Sequence, residues 1–313
     1  MKEIGGYFEL ESFGSPEYHD RAIKLNSGRN ALRYIIRAYG IREMLVPRYT
    51  CPVVFEALAE ENCKVIFYSI DEKLNPSMDI DGEMKQNKFV LYNNYFGVCG
   101  NVVERLIGKY TNVIVDSAQS FYSLKKGIAS FYSPRKFFGL PDGGILRCDK
   151  ELDDKFEEDI SIDRCSHLLK RYDLPATEGY PDFQRNDNSL IGQPIKHMSK
   201  LTQALMSNIN YSNTRKIRME NFSFLHDNLW DDNELKIDMA KDDVPLVYPF
   251  LLKNKELRKK LIERRVYVAT YWPELEKYCD EGSFELYLKN YLIPIPIDQR
   301  YGLEEMKFIL GII

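Results

Sequence analysis

Apolar positions in the first half of the chain fall into two alternating rhythms. NALRYIIRAYG carries a helical period after Ser27 and ends at Gly40, so it reads as a capped helix. EMLVP (43–47) reads as a strand, and PVVFEALAEEN as a helix opened by Pro52. KVIFYSID (64–71), KFVLYNNYF (88–96) and NVIVD (112–116) are short apolar strands, with a helix over VVERLIGKY (102–110) between the last two. ASFYS and GGILRC add strands around a turn rich in glycine and proline. Helices alternating with short, wholly apolar strands imply a mostly parallel sheet covered on both faces.

The rhythm changes after about residue 149. Residues 150–165 are acidic and helix-prone, and 170–196 read as a long irregular connection rich in proline, glycine and asparagine. One long helix is expected over 198–229, a strand over 244–252, a basic amphipathic helix at LRKKLIERRV, and a last strand and helix at YLIPIPI and LEEMKFILGI. The expected organisation is a large α/β domain over residues 1–200 and a smaller α+β domain over 201–313.

Composition narrows the possibilities. Apolar residues are 44% and charged residues 29% of the 313, the profile of a folded chain. Lysine and arginine total 43 against 47 acids, which speaks against nucleic acid or an anionic membrane as the partner. No apolar run reaches the roughly 18 residues of a membrane span, and MKEIGGYFELES lacks a secretory pattern. The six cysteines form no C-x-x-C pair and read as free thiols of a cytoplasmic protein. The four histidines show no metal-ligand spacing, so no metal is expected.

Three segments carry candidate chemistry. In SGRNAL (27–32) a Ser-Gly pair opens a helix, whose backbone N–H groups and dipole favour an anion. In VIVDSAQS (113–120) Asp116 ends a buried strand, where open α/β sheets place ligands. In SFYSPRKFFGLPDGG (130–144) Lys136 sits in an aromatic turn, where apolar surroundings favour a neutral amine able to attack a carbonyl. Each alone has an ordinary structural reading as a cap, a salt bridge or a surface lysine. Together they meet the needs of pyridoxal phosphate: an anion site, an acid for the pyridine nitrogen, and a lysine for the aldehyde.

These segments, with LVPRYTCPVVFEAL, YFGVCG and IPIPIDQRYGLEEM, resemble the DegT/DnrJ/EryC1/StrS sugar aminotransferases over nearly the whole chain. The resemblance implies fold type I, an α/β class with a seven-stranded, mostly parallel sheet in the large domain. It implies a homodimer that uses pyridoxal 5'-phosphate to move an amino group, from glutamate as donor, to a keto-sugar linked to a nucleotide. The family's ring-nitrogen carboxylate falls on Asp116, its glutamine on Gln119 and its lysine on Lys136; an alternative register puts Arg135 there. Gly28, Arg29 and Asn30 match the phosphate turn, and Tyr49 and Ser133 complete the expected cofactor contacts. The chain departs from the pattern at three points. Phe131 stands where the phosphate serine falls, Cys51 where a ring-stacking aromatic falls, and Ile195 where the asparagine reaching a neighbouring subunit falls. Gln193, Lys196 and His197 are the candidate replacements for that asparagine. A cofactor-binding sensor that keeps the fold with little turnover is the competing expectation.

Overall fold

The computed structural model describes residues 6–77, 82 and 88–313. Among them, β1 (Ile23–Leu25), β2 (Glu43–Pro47), β3 (Lys64–Tyr68), β4 (Phe89–Asn93), β5 (Val113–Asp116), β6 (Ala129–Tyr132) and β7 (Gly144–Cys148) form one sheet in the order β1-β7-β6-β5-β4-β2-β3. The pairs from β3 through β6 are parallel; β7 runs antiparallel to β6 and to β1.

Both faces of this sheet are apolar, because successive strand residues point to opposite sides. Met44, Val46, Leu91 and Ile114 face α1 (Gly28–Tyr39) and α2 (Pro52–Glu60), meeting Leu32, Ile35, Ile36, Ala57 and Leu58. Leu45, Val90, Tyr92, Val113 and Val115 face the other way, toward α3 (Gly100–Lys109) and the C-terminal elements. Ser27 caps α1 by accepting from the Asn30 N–H at 3.2 Å, and Gly40 ends it in the left-handed region.

Between residues 149 and 230 the structure corrects three expectations. The acidic stretch 150–165 is irregular, with one short turn at Ile162–Arg164, because its acids are drawn into side-chain pairs such as Asp159 with Arg164. Most of 170–196 is helical: α4 (Ser166–Asp173) and α5 (Ala176–Ser189) form a hairpin. Its turn-forming residues have packing roles here. A Cβ on Gly179 would meet the His167 carbonyl at 3.3 Å, so glycine lets the two helices approach, and Lys170 bonds Asp182 across them at 2.6 Å. The long helix expected over 198–229 is two: α6 (Lys200–Met206), capped by Ser199, and α7 (Tyr211–Leu229), capped by Asn210. Asparagine side chains compete with the helical backbone, and here the Asn210 oxygen takes the Asn213 N–H at 3.0 Å.

Met206 packs with Met198, Phe121 and Phe138 beside the large sheet, whereas Phe222 and Leu225 of α7 enter the core shared with the C-terminal layer. That layer holds an antiparallel pair, β8 (Val247–Leu251) and β9 (Leu292–Pro296), with α8 (Leu257–Glu263), α9 (Phe284–Tyr291) and α10 (Leu303–Leu310). Among the described residues, no helix is long and apolar enough to cross a membrane.

Residues 193–198 run beside β1. The Asn26 N–H donates to Lys196 O at 3.0 Å and the Met198 N–H to Lys24 O at 3.1 Å. This turns Ile195 into the core under α1, 6% exposed. Ile195→Asn, which would place the expected asparagine there, buries an amide in an apolar pocket. It should cost about 3 kcal/mol of stability in a denaturant titration, without improving cofactor affinity.

Candidate functional site

Parallel strands end together, and the residues that follow them share one edge of the sheet. Asp116 is the last residue of β5, opposite Asn93 on one neighbour and Phe131 on the other. Its Oδ1 accepts from the Ala118 N–H at 2.8 Å; Oδ2 has no partner among the described residues. Burial raises the pKa of this carboxyl, and the charge of Lys136 and the Ala118 bond only partly offset the rise.

Lys136 closes a 3-10 turn (Pro134–Lys136) after β6, with its backbone N–H on Ser133 O at 3.1 Å. The ammonium is exposed and bonds to no described residue. Its charge acts on two groups, Asp116 and the Cys51 thiol at the start of α2. Burial pushes that thiol up, against the pull of Lys136. Because β5 and β6 are parallel neighbours with Asp116 opposite Phe131, Asp116 and the Lys136 turn leave the same edge of the sheet. Arg135 is directed elsewhere: it pairs with Asp187 of α5 at 2.7 Å and lies over the Phe183 ring at 5.7 Å.

Gln119 is buried beside Asp116. Its Oε1 accepts from the Phe96 N–H at 2.6 Å, leaving the Nε2 donor without a partner among the described residues. Phe96 is held at φ 57, a conformation uncommon outside glycine, in the loop after β4.

The start of α1 lies next to this cluster. A Cβ on Gly28 would lie 3.7 Å from Ser133 Cβ, which places the start of α1 directly beside that serine. Among the described residues, the Ser133 hydroxyl makes no hydrogen bond and the Arg29 N–H in the first turn has no acceptor. A spare hydroxyl and a spare backbone donor at a helix start can hold a phosphate.

The side chains of Arg29 and Asn30 do not join them. Arg29 bonds the Leu190 carbonyl and pairs with Glu56 at 3.0 Å. Asn30 donates to Asn26 Oδ1 and Pro194 O, both at 2.8 Å. They brace the helix start and leave the backbone to face a ligand. Tyr49 is also not brought to the cluster: its ring is fully buried against Trp272, centroids 4.5 Å apart. Cys51 stands by the cluster instead. Phe131 is buried in the core under α1, so Ser133 is the hydroxyl that lies by the helix start. Of the proposed replacements for the subunit-crossing asparagine, Gln193 bonds Ser189 O, Lys196 pairs with Glu157 and His197 packs on Phe156.

One supporting group escaped the sequence reading. Asp142, fully buried, receives Ser161, Thr202 Oγ1 (2.5 Å) and Arg164 (2.8 Å), and so fixes the Pro141–Gly144 turn. Its signal was an acid directly before Gly-Gly. All six cysteines are unpaired, and no group of three or more metal-binding side chains occurs among the described residues.

No protein-family model matches the chain, and no curated protein matches its sequence. Solved structures do match in fold. DesV of S. venezuelae, in complex with a ketimine intermediate, aligns with a TM-score of 0.65 and 17% identity over 94% of this chain and 84% of its own. A sugar aminotransferase of Streptococcus pneumoniae in its PMP form gives 0.62 and 15% over 93% and 85%. A DegT/DnrJ/EryC1/StrS aminotransferase from Brucella abortus gives 0.61 and 13% over 93% and 84%. The chain has the fold of these enzymes.

The raised pKa of Asp116 makes its ionisation a cost to the folded chain. Asp116→Asn should therefore melt a few degrees above the unsubstituted protein at pH 7–8 without cofactor. The gap should shrink as pH falls through the folded-state pKa and close below about 4, where both states hold the proton. Thermal melts across pH check this.

Proposed function

We propose that this protein is a pyridoxal-phosphate-dependent sugar aminotransferase. The observation that carries the reading is the convergence, at the strand ends, of a carboxylate oxygen without a partner (Asp116) and an unbonded ammonium (Lys136) beside an open helix start. These residues fit the cofactor. Ser133 and the first turn of α1 would bind its phosphate, Asp116 Oδ2 would hold the proton on its ring nitrogen, and Gln119 Nε2 would meet its phenolic oxygen. When bound, the cofactor supplies an electron sink for a proton lost from carbon. Lys136 would hold the aldehyde, then take the proton from the donor's α-carbon and return it at C4' of the cofactor. The exposure of its ammonium leaves it free for that exchange.

We read the donor as glutamate and the acceptor as a keto-sugar carried on a nucleotide; that sugar aminotransferases share the fold supports a sugar as the acceptor class. The cytoplasm suits a chain with six unpaired cysteines. A homodimer is part of the same reading. The α4–α5 hairpin and its flanks leave Ile160, Leu169, Tyr172 and Ile191 between 55% and 94% exposed, next to the helix that holds Arg135. Exposed apolar residues of this size support an interface at this hairpin. Light scattering should give twice the chain mass; a monomer that still binds cofactor would contradict the shared interface. A sensor without turnover is favoured only by the burial of Ile195 where a subunit-crossing donor was expected, and turnover with glutamate separates the two.

The purified protein mixed with pyridoxal phosphate should gain a visible absorbance band that Lys136→Ala abolishes together with transamination. Arg135→Ala should keep the band, because its guanidinium is engaged by Asp187. Bleaching by the Arg135 substitution and not by that of Lys136 would move the reacting amine by one residue.

A further inference from the structure

Arg218, on α7, heads the fully buried side chains by size and is 1% exposed. A guanidinium out of water is ordinarily neutralised by a carboxylate, since an unpaired buried charge costs several kcal/mol. None pairs with it among the described residues. Asp298, the acid whose field reaches it, is held by Arg300 at 2.7 and 2.9 Å. Burial pushes Arg218 down to about 10. All its hydrogen bonds go to neutral oxygens: Nε to Gln299 Oε1 at 3.0 Å, Nη1 to Leu246 O at 3.1 Å and Pro245 O at 3.4 Å, and Nη2 to Phe137 O at 3.2 Å.

The Phe137 carbonyl is the common point. Gln299 Nε2 also donates to it, at 2.8 Å, so this one oxygen takes two side-chain donors. The guanidinium carbon lies 4.6 Å from the centre of the Phe137 ring, within cation–π range. Phe137 immediately follows Lys136 and ends the 3-10 turn that carries it. The groups gripping it come from α7 and from the segment after β9, while Pro245 and Leu246 lead into β8. A single cation therefore ties the lysine turn to three parts of the C-terminal layer. A well-packed apolar side chain would fill the volume at less electrostatic cost, but it could not grip the carbonyl.

We propose that Arg218, together with Gln299, is a positioning residue for Lys136: by fixing the Phe137 peptide from the C-terminal layer, it sets where the lysine amine stands relative to Asp116 and Cys51. The proposal rests on the reading of Lys136 as the reacting amine. Neither side chain touches the reacting atoms.

The test uses the full chain and pyridoxal phosphate as probe. Samples are reduced with borohydride at timed intervals, and the phosphopyridoxyl adduct is counted by peptide mass at Lys136 and, as an internal reference, at the exposed Lys64 on the far edge strand β3. Arg218→Met and Gln299→Leu should slow labelling of Lys136 by about tenfold or more and leave Lys64 unchanged, since small displacements of a reacting group cost large factors in rate. Arg218→Lys, which keeps a cation, should recover part of the loss. Should Arg218→Met fail to fold, Gln299→Leu decides. Labelling of Lys136 at the unsubstituted rate in a variant with the native circular dichroism would overturn the positioning role alone. Failure of the unsubstituted protein to label Lys136 faster than Lys64 would overturn the reading of the lysine and the positioning role with it.

Discussion

A Cβ on Gly144 would lie 2.2 Å from the Ser27 carbonyl oxygen and 2.7 Å from the Gly28 nitrogen, distances no side chain survives. Because the residue is glycine, the end of the lysine-bearing segment lies directly against the start of α1. The Gly143 N–H bonds Asn26 O at 3.0 Å across the same contact. The start of α1 and the turn that carries Lys136 then belong to one corner. Asp142 secures that corner from beneath, with a hydroxyl on each side and Arg164 as its counter-charge. A larger residue at 144 would move the helix start, and with it the spacing between Ser133 and the first-turn donors.

The chemistry placed on this corner runs against stability. Asp116 is ionised at a cost and uses one oxygen internally; Gln119 uses one end of its amide; the Ser133 hydroxyl uses nothing. Phe96, which anchors Gln119, holds a left-handed conformation, and so does Trp272 beside Tyr49. Groups without a partner among the described residues and the left-handed Phe96 thus lie at the ends of neighbouring strands. By contrast, the Arg33, Arg37 and Glu61 cluster pairs its charges and ties α1 to the end of α2.

The sheet and its crossover helices were legible because both signals are local. A period of 3.6 between caps and compact aliphatic strands need no tertiary knowledge, and α1, β2, α2 and β5 fall where the pattern puts them. Lys136 and Asp116 were legible as candidates because each stands at the end of a strand or in a turn. What the pattern missed depends on packing. The proline, glycine and asparagine of 170–196 signal a loop, yet Gly179 serves helix contact, Pro175 caps α5 and Pro181 sits inside it. Tyr49 looked available for stacking, but the core behind Trp272 takes its ring. Asn30 and Arg29 sit at the expected address, but Pro194, Leu190 and Glu56, brought in from elsewhere in the fold, claim their side chains.

The central claim is that one cofactor spans this corner from the start of α1 to Asp116. A crystal structure of the protein grown with pyridoxal phosphate tests it most directly. The account predicts continuous density from the Lys136 side chain into the cofactor, the ring nitrogen on Asp116 Oδ2, and the phosphate between the Ser133 hydroxyl and the first turn of α1. Density at any other lysine, or a phosphate held away from Gly28 and Ser133, would contradict it.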